Sequence, residues 1–128
     1  MEAPNTPKRP TDDEIVSGYL ANYAGDESAF WAFEEACELV TRDPERLWHI
    51  TLRLIQQAPD DAALAYVAAG PLEDILAAHG PAFIERVEDL ARKDARFLLA
   101  LASVWGEVRM SPDICARVEA VRAKHWKS

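Results

Sequence analysis

The sequence predicts an all-α protein, a compact bundle of about seven to eight helices stacked as HEAT-like helical hairpins, and three observations carry that expectation. Apolar residues recur at helical spacing along most of the chain. The apolar runs open on threonine, serine, aspartate or proline, which cap or begin helices because they satisfy or lack the amides left unpaired there. The pattern also repeats: Asp43 and Asp94 stand 51 positions apart. At the same offset Leu39 meets Leu90, Arg42 meets Lys93, Leu47 meets Leu98 and Ile50 meets Leu101, with Phe33 on Ile84, Asp60 on Ser111 and Val67 on Val118. The offset is a little longer than the roughly 40–47 residues of HEAT or armadillo units. Only two units are visible, fewer than the roughly three an open solenoid needs, so a compact two-layer bundle is expected. No stretch shows convincing strand alternation.

Each element has a local reason. Residues 1–10 hold three prolines and no apolar period, which predicts a mobile N-terminal arm before a single domain over residues 11–128. Thr11-Asp12-Asp13-Glu14 has the form of a capping box, and Ile15, Tyr19, Leu20 and Tyr23 follow as a first helix ending near Ala24-Gly25. Asp26-Glu27-Ser28 starts a second helix with Phe30, Phe33, Cys37 and Val40 as its apolar stripe, Trp31 beside it, and Glu34, Glu35 and Glu38 largely opposite. Asp43-Pro44 begins a third, central helix through Leu47, Trp48, Ile50 and Leu54. A fourth follows Pro59-Asp60-Asp61. Proline disfavours helix in the residue before it and lacks the amide donor, so the two Gly-Pro steps, Gly70-Pro71 and Gly80-Pro81, are expected to enclose a separate short helix containing Leu72, Ile75, Leu76 and His79. Phe83, Ile84, Val87 and Leu90 define a sixth helix. Asp94 caps a seventh, which ends near Gly106, and Ser111-Pro112-Asp113 opens the last.

Composition bounds the function. The formal net charge of -8 repels phosphate backbones and argues against nucleic-acid binding, while a basic protein partner fits it. Cys37 and Cys115 lack CxxC spacing and lie in apolar helical patterns, so they read as small buried hydrophobes in a reducing compartment. No run approaches the roughly 18 apolar residues of a membrane span, and the N-terminus has no apolar leader, so a cytoplasmic protein without membrane partners is expected.

No Gly-rich phosphate loop, HExxH, paired CxxC, GxSxG or EF-hand spacing occurs. No catalytic residue, cofactor or metal site is assigned. Glu34 and Glu38 stand at i, i+4, a spacing used by carboxylate metal sites, but no matching histidine pattern accompanies them. Glu73 and Asp74 are explained by the start of their helix, where carboxylates complement the positive end of its dipole. His49 lies between apolar neighbours without a second histidine one turn away. The aromatic cluster Phe30-Trp31-Phe33 cannot bury all its members on one face. An exposed Trp31 is therefore the expected interface anchor, with Trp126 in its basic tail a further candidate.

The stretch from Phe30-Trp31-Ala32-Phe33 to Val118 resembles the bacterial DUF6869 family, a group of unknown function. AAGPLEDILAAHG at residues 68–80 and the ending Val104-Trp105-Gly106 are its most specific pieces. The resemblance implies bacterial origin and a helical domain, and brings no catalytic residues. Small acidic bacterial domains include immunity and other toxin-neutralising proteins, an analogy of class rather than of family. The expected function is a non-enzymatic protein-binding module, of the immunity or antitoxin type, that neutralises a basic partner. Its acidic surface would comprise Glu34, Glu35, Glu38, Asp60, Asp61, Glu73 and Asp74, with Trp31 as anchor. The alternatives are a small enzyme or metal-dependent protein using Glu73, Asp74 or His79 near the Gly70-Pro71 helix, and a homo-oligomeric structural subunit.

Overall fold

The computed structural model describes residues 9–104 and 109–127, with side chains through residue 123, and these residues are all-helical. The expected arm lies largely outside them, at residues 1–8. Pro10 is already held, its carbonyl oxygen accepting from Arg46 Nη2 at 2.8 Å. Helix α1 spans Asp12–Tyr23, and the capping box forms: Thr11 Oγ1 accepts from the Glu14 amide while the Glu14 carboxylate accepts from the Thr11 amide. A 3-10 turn, Glu27–Ala29, leads into α2, Phe30–Arg42. Asp43 then ends α2 and begins α3, Pro44–Gln57, as a one-residue corner whose Oδ1 accepts from the Arg46 amide. Asp60 caps α4, Asp61–Val67.

The first Gly-Pro step breaks the regular helix, as expected. Ala68–Leu72 forms a π-helical turn that joins α4 to α5, Glu73–Lys93, with only Gly70 leaving helical dihedrals. The turn is wider than an α-helical one and kinks the chain ahead of Pro71, which has no amide to offer. The second step is likewise a kink, at His79, inside α5. There His79 Nε2–H donates to the Val40 carbonyl at 2.6 Å, tying the bend to the end of α2. The kinks at Gly70 and His79 thus bound the short helix expected between the two Gly-Pro steps, although helical turns run on through both from Asp61 to Lys93. Asp94 makes a second one-residue corner into α6, Ala95–Leu101, and α7 covers Pro112–Lys127. Joined across those two kinks, the described residues form six helices, which does not confirm a count of seven to eight.

Helix α3 is central, touching α1, α2, α4, the π turn, α5 and α6. Leu47, Ile50 and Leu54 are fully buried, and Trp48 packs on Phe83 of α5 and Phe97 of α6 at ring distances of 5.6 and 6.1 Å. The α3 terminus is closed by Arg96, which donates to the Ile55 and Ala58 carbonyls, each at 2.6 Å. Two glycines set the other main contacts. A Cβ on Gly18 of α1 would meet Ala32 of α2 at 2.8 Å, and one on Gly80 of α5 would meet Ile114 of α7 at 2.6 Å.

The close approach at Gly18 turns α2 relative to expectation. Its buried face is Trp31, Ala32, Ala36 and Leu39, whereas Phe33 and Val40 are half-buried and Phe30 is 48% exposed. Cys37, expected inside, is exposed, and Cys115 is half-buried. Small alanines let the α2 backbone come near α1, and that gain in close packing decides the face more than the bulk of the phenylalanines. Among the described residues no helix is long and apolar enough to cross a membrane.

Candidate functional site

The rotation of α2 leaves an aromatic surface. Phe30 stacks on Phe33 at 5.5 Å, Phe33 on Tyr19 at 6.1 Å, Tyr19 meets Tyr66 at 5.6 Å, and Tyr66 meets Tyr23 at 4.7 Å. Five rings from α1, α2 and α4 therefore form one continuous row. Helical spacing places them: Tyr19 and Tyr23 are one turn apart, as are Phe30 and Phe33. In the middle of the row lies a cavity of about 400 Å³, whose walls include Phe33, Cys37, Tyr66, Asp74 and the Gly70–Pro71 backbone. Tyr19, 2% exposed, forms its floor. The π turn makes this shape possible, because a side chain on Gly70 would meet the Tyr19 hydroxyl at 2.6 Å.

The field in the cavity is negative. Burial first, and then the carboxylates of Asp74, Glu34 and Glu38, push the Cys37 thiol above its ordinary range. Tyr19 is raised far above the usual phenol value by burial, with Tyr66, Cys37 and Asp74 adding to it. Burial also raises Tyr66, against a hydrogen bond from Tyr19 that favours its ionised form. Such a thiol is a poor nucleophile at neutral pH, since the thiolate is the reactive species. Iodoacetamide should accordingly alkylate Cys37 more slowly than glutathione at pH 8. Asp74→Asn should lower the Cys37 pKa and speed the reaction, because it removes a negative neighbour. Equal rates in the two proteins, followed by mass spectrometry of the Cys37 peptide, would show that Asp74 does not act on this thiol.

The residues expected to form an acidic surface separate into groups. Glu34 and Glu38 are exposed on α2, and Glu35 is half-buried. Arg42 pairs with Glu35 and, at 3.1 Å, with Glu38. Asp60 and Asp61 stand at the end of α4 away from the cavity, and Asp60 Oδ1 accepts from the Ala63 amide at 2.8 Å. Glu73 is not surface: it is 7% exposed, and Arg109 bridges it at 2.8 Å and Asp74 at 2.7 Å. Trp31 is not an exposed anchor either. It is 9% exposed and packs beside Gly18, where its ring would lie 3.2 Å from an added Cβ. Phe30 takes the exposed position instead. Trp105, and the side chain of Trp126, lie outside the described residues.

Of the expected residues, then, Asp74 lines the cavity beside Cys37, and Glu34 and Glu38, exposed on α2, reach that thiol through their charge. Tyr19, Phe33, Cys37 and Tyr66 are its unexpected members. Their only signal in the sequence is the helical spacing of the aromatics, which serves a core equally well. The imidazole of His79 is engaged by Val40, and His49 is exposed on α3. Among the described residues no group of three or more His, Cys, Asp or Glu side chains is placed to hold a metal ion.

Fold and site together define a small all-helical domain with an aromatic, acid-edged cavity at a π turn. The chain belongs to DUF6869, a family of unknown function, whose model matches residues 20–126 and so reaches beyond both ends of the Phe30–Val118 stretch that carries the resemblance. No curated protein and no solved structure matches it.

Proposed function

We propose that this chain is a non-enzymatic, cytoplasmic protein-binding module of the immunity or antitoxin kind, which meets a basic partner protein through an acidic, aromatic surface. The observation that carries this reading is the row of five rings, with Asp74 in the wall of its cavity and Glu34 and Glu38 exposed on α2, the helix that carries Phe30 and Phe33. Aromatic groups supply contact area at low entropic cost. The carboxylates, on a chain of net charge -8, supply attraction and orientation. We read the scaffold as HEAT-like hairpins in two related units. Asp43 and Asp94 both cap helices, and Leu47 and Ile50 are buried as Leu98 and Leu101 are. A rigid stack of this type holds a surface ready-made, which reduces the ordering cost of binding.

Affinity capture of the tagged full chain from its source cells, at low and raised salt, tests the reading. A basic partner should be retained at low salt and weakened by added salt. Glu34→Lys with Glu38→Lys should lower its affinity at least about tenfold, since both a favourable charge and its steering field are inverted. A partner held equally by wild type and variant, at either salt, would refute the acidic surface. A homo-oligomer would use the exposed Phe30 against a second copy, and sedimentation of the isolated protein separates the two cases. For an enzyme built on Glu73, Asp74 and His79 no observation speaks, because Arg109 and the Val40 carbonyl engage those groups.

A further inference from the structure

We propose that the cavity between α1, α2 and the π turn receives one arginine side chain of the partner protein. The inference deepens the binding-module reading and rests on it. Three features select a cation. Tyr19, Phe33 and Tyr66 all line the cavity, so a cation entering it meets aromatic rings. Asp74 stands in the wall, and Glu34 and Glu38 lie close enough to shift the neighbouring thiol. Among the described residues the wall holds no lysine or arginine.

An anion would meet the Asp74 carboxylate and, among the described lining residues, no cationic side chain. Arginine suits the site better than lysine, because a planar guanidinium stacks on a ring and gives up less hydration than an ammonium. The hydrogen bond from Arg109 Nη2 to Asp74 Oδ1, at 2.7 Å, already shows this carboxylate accepting a guanidinium. Glu34 is exposed on α2 and makes no ion pair among the described residues, so its charge adds to the negative field felt at Cys37. The volume, about 400 Å³, lies toward the small end of ligand sites, which span about 300–1,000 Å³. A protein-borne arginine is favoured over a free small cation by what surrounds the opening. Phe30 and Tyr23, 48% and 37% exposed, extend the aromatic row on both sides. A chain flanking the inserted residue would cover them, and a free cation would not.

The test is a titration of the ¹⁵N-labelled full chain with acetyl-Gly-Arg-Gly-amide, followed by amide chemical shifts. Its control is the same peptide carrying citrulline, which keeps the shape and loses the charge. The expected result is saturable shifts at Tyr19, Phe33, Tyr66 and Gly70. The citrulline peptide should bind at least about tenfold more weakly, which is about 1.4 kcal/mol. Asp74→Asn and Phe33→Leu should each weaken the arginine peptide several-fold, and methylguanidinium should bind more weakly than the peptide. Equal binding of citrulline, shifts spread over the acidic faces without saturation, or no shift at all would overturn the proposal. Methylguanidinium binding as tightly as the peptide would overturn the chain-borne source. The two readings fail separately. A captured partner lost with Glu34→Lys and Glu38→Lys, yet held normally by Asp74→Asn and Phe33→Leu, would leave the module standing and remove arginine from the cavity. A saturable arginine site without any basic partner would uphold the cavity's chemistry and sink the module.

Discussion

Trp48→Ala should lower the unfolding free energy by about 3–5 kcal/mol, the usual cost of emptying a large buried aromatic site. The indole is 4% exposed and is the contact through which α3 reaches both Phe83 of α5 and Phe97 of α6. Its removal leaves a void bordered by three helices, and none of them can close it alone. In a domain of this size that loss corresponds to a fall in Tm of roughly 10–20 °C. Thermal and urea unfolding followed by far-ultraviolet circular dichroism would measure it. The neighbouring His49 is exposed, so His49→Ala serves as the internal control and should stay within about 0.5 kcal/mol of wild type. A Trp48→Ala protein as stable as the His49→Ala protein would mean that α3 is not the centre of this core.

Gly80→Val should be destabilising by about 3 kcal/mol, the upper end of what overpacking costs. The position needs no unusual backbone conformation, so the effect is one of space. An added Cβ would lie 2.6 Å from Ile114 Cγ1 and 3.0 Å from its Cδ1. Isoleucine is branched at Cβ and cannot swing its Cγ1 aside. The clash therefore has to be relieved by moving α7 away from α5. Ile114→Ala removes those atoms, and by itself costs about 2–5 kcal/mol. Combined, the two changes exchange volume across the contact, and the double variant should be more stable than the sum of the single effects by at least about 1 kcal/mol. Additive losses in denaturant unfolding would show that the two helices do not meet in this way.

The sequence made the helix starts legible because caps are local chemistry. Thr11, Asp26, Asp43, Asp60 and Asp94 all accept from an amide two or three residues ahead. Where the answer depended on partners far along the chain, local reasoning went astray. Gly70-Pro71 and Gly80-Pro81 carry strong stop signals and do kink the backbone, at Gly70 and His79, yet helical turns continue across both. Glu73 looks like an exposed first-turn acid until Arg109, 36 residues later, is folded against it. On α2 the bulky Phe30 and Phe33 suggested the buried face, but the decision lay with Gly18 on another helix. Part of the site was visible as acids and part was not. Glu34, Glu38 and Asp74 were candidates by charge, whereas Tyr19, Cys37 and Tyr66 join them only through tertiary packing that no spacing foretells.

The one-residue corners at Asp43 and Asp94 bear on how this chain tolerates change in length. Each aspartate ends one helix and starts the next, so no slack separates α2 from α3 or α5 from α6. Inserting or deleting a residue inside any of these helices turns everything beyond it by about 100° and shifts it by about 1.5 Å. No loop stands at the corner to absorb the error. Between Phe30 and Gln57, and again between Glu73 and Leu101, descendants of this chain are therefore free to change their exposed letters but held to its count.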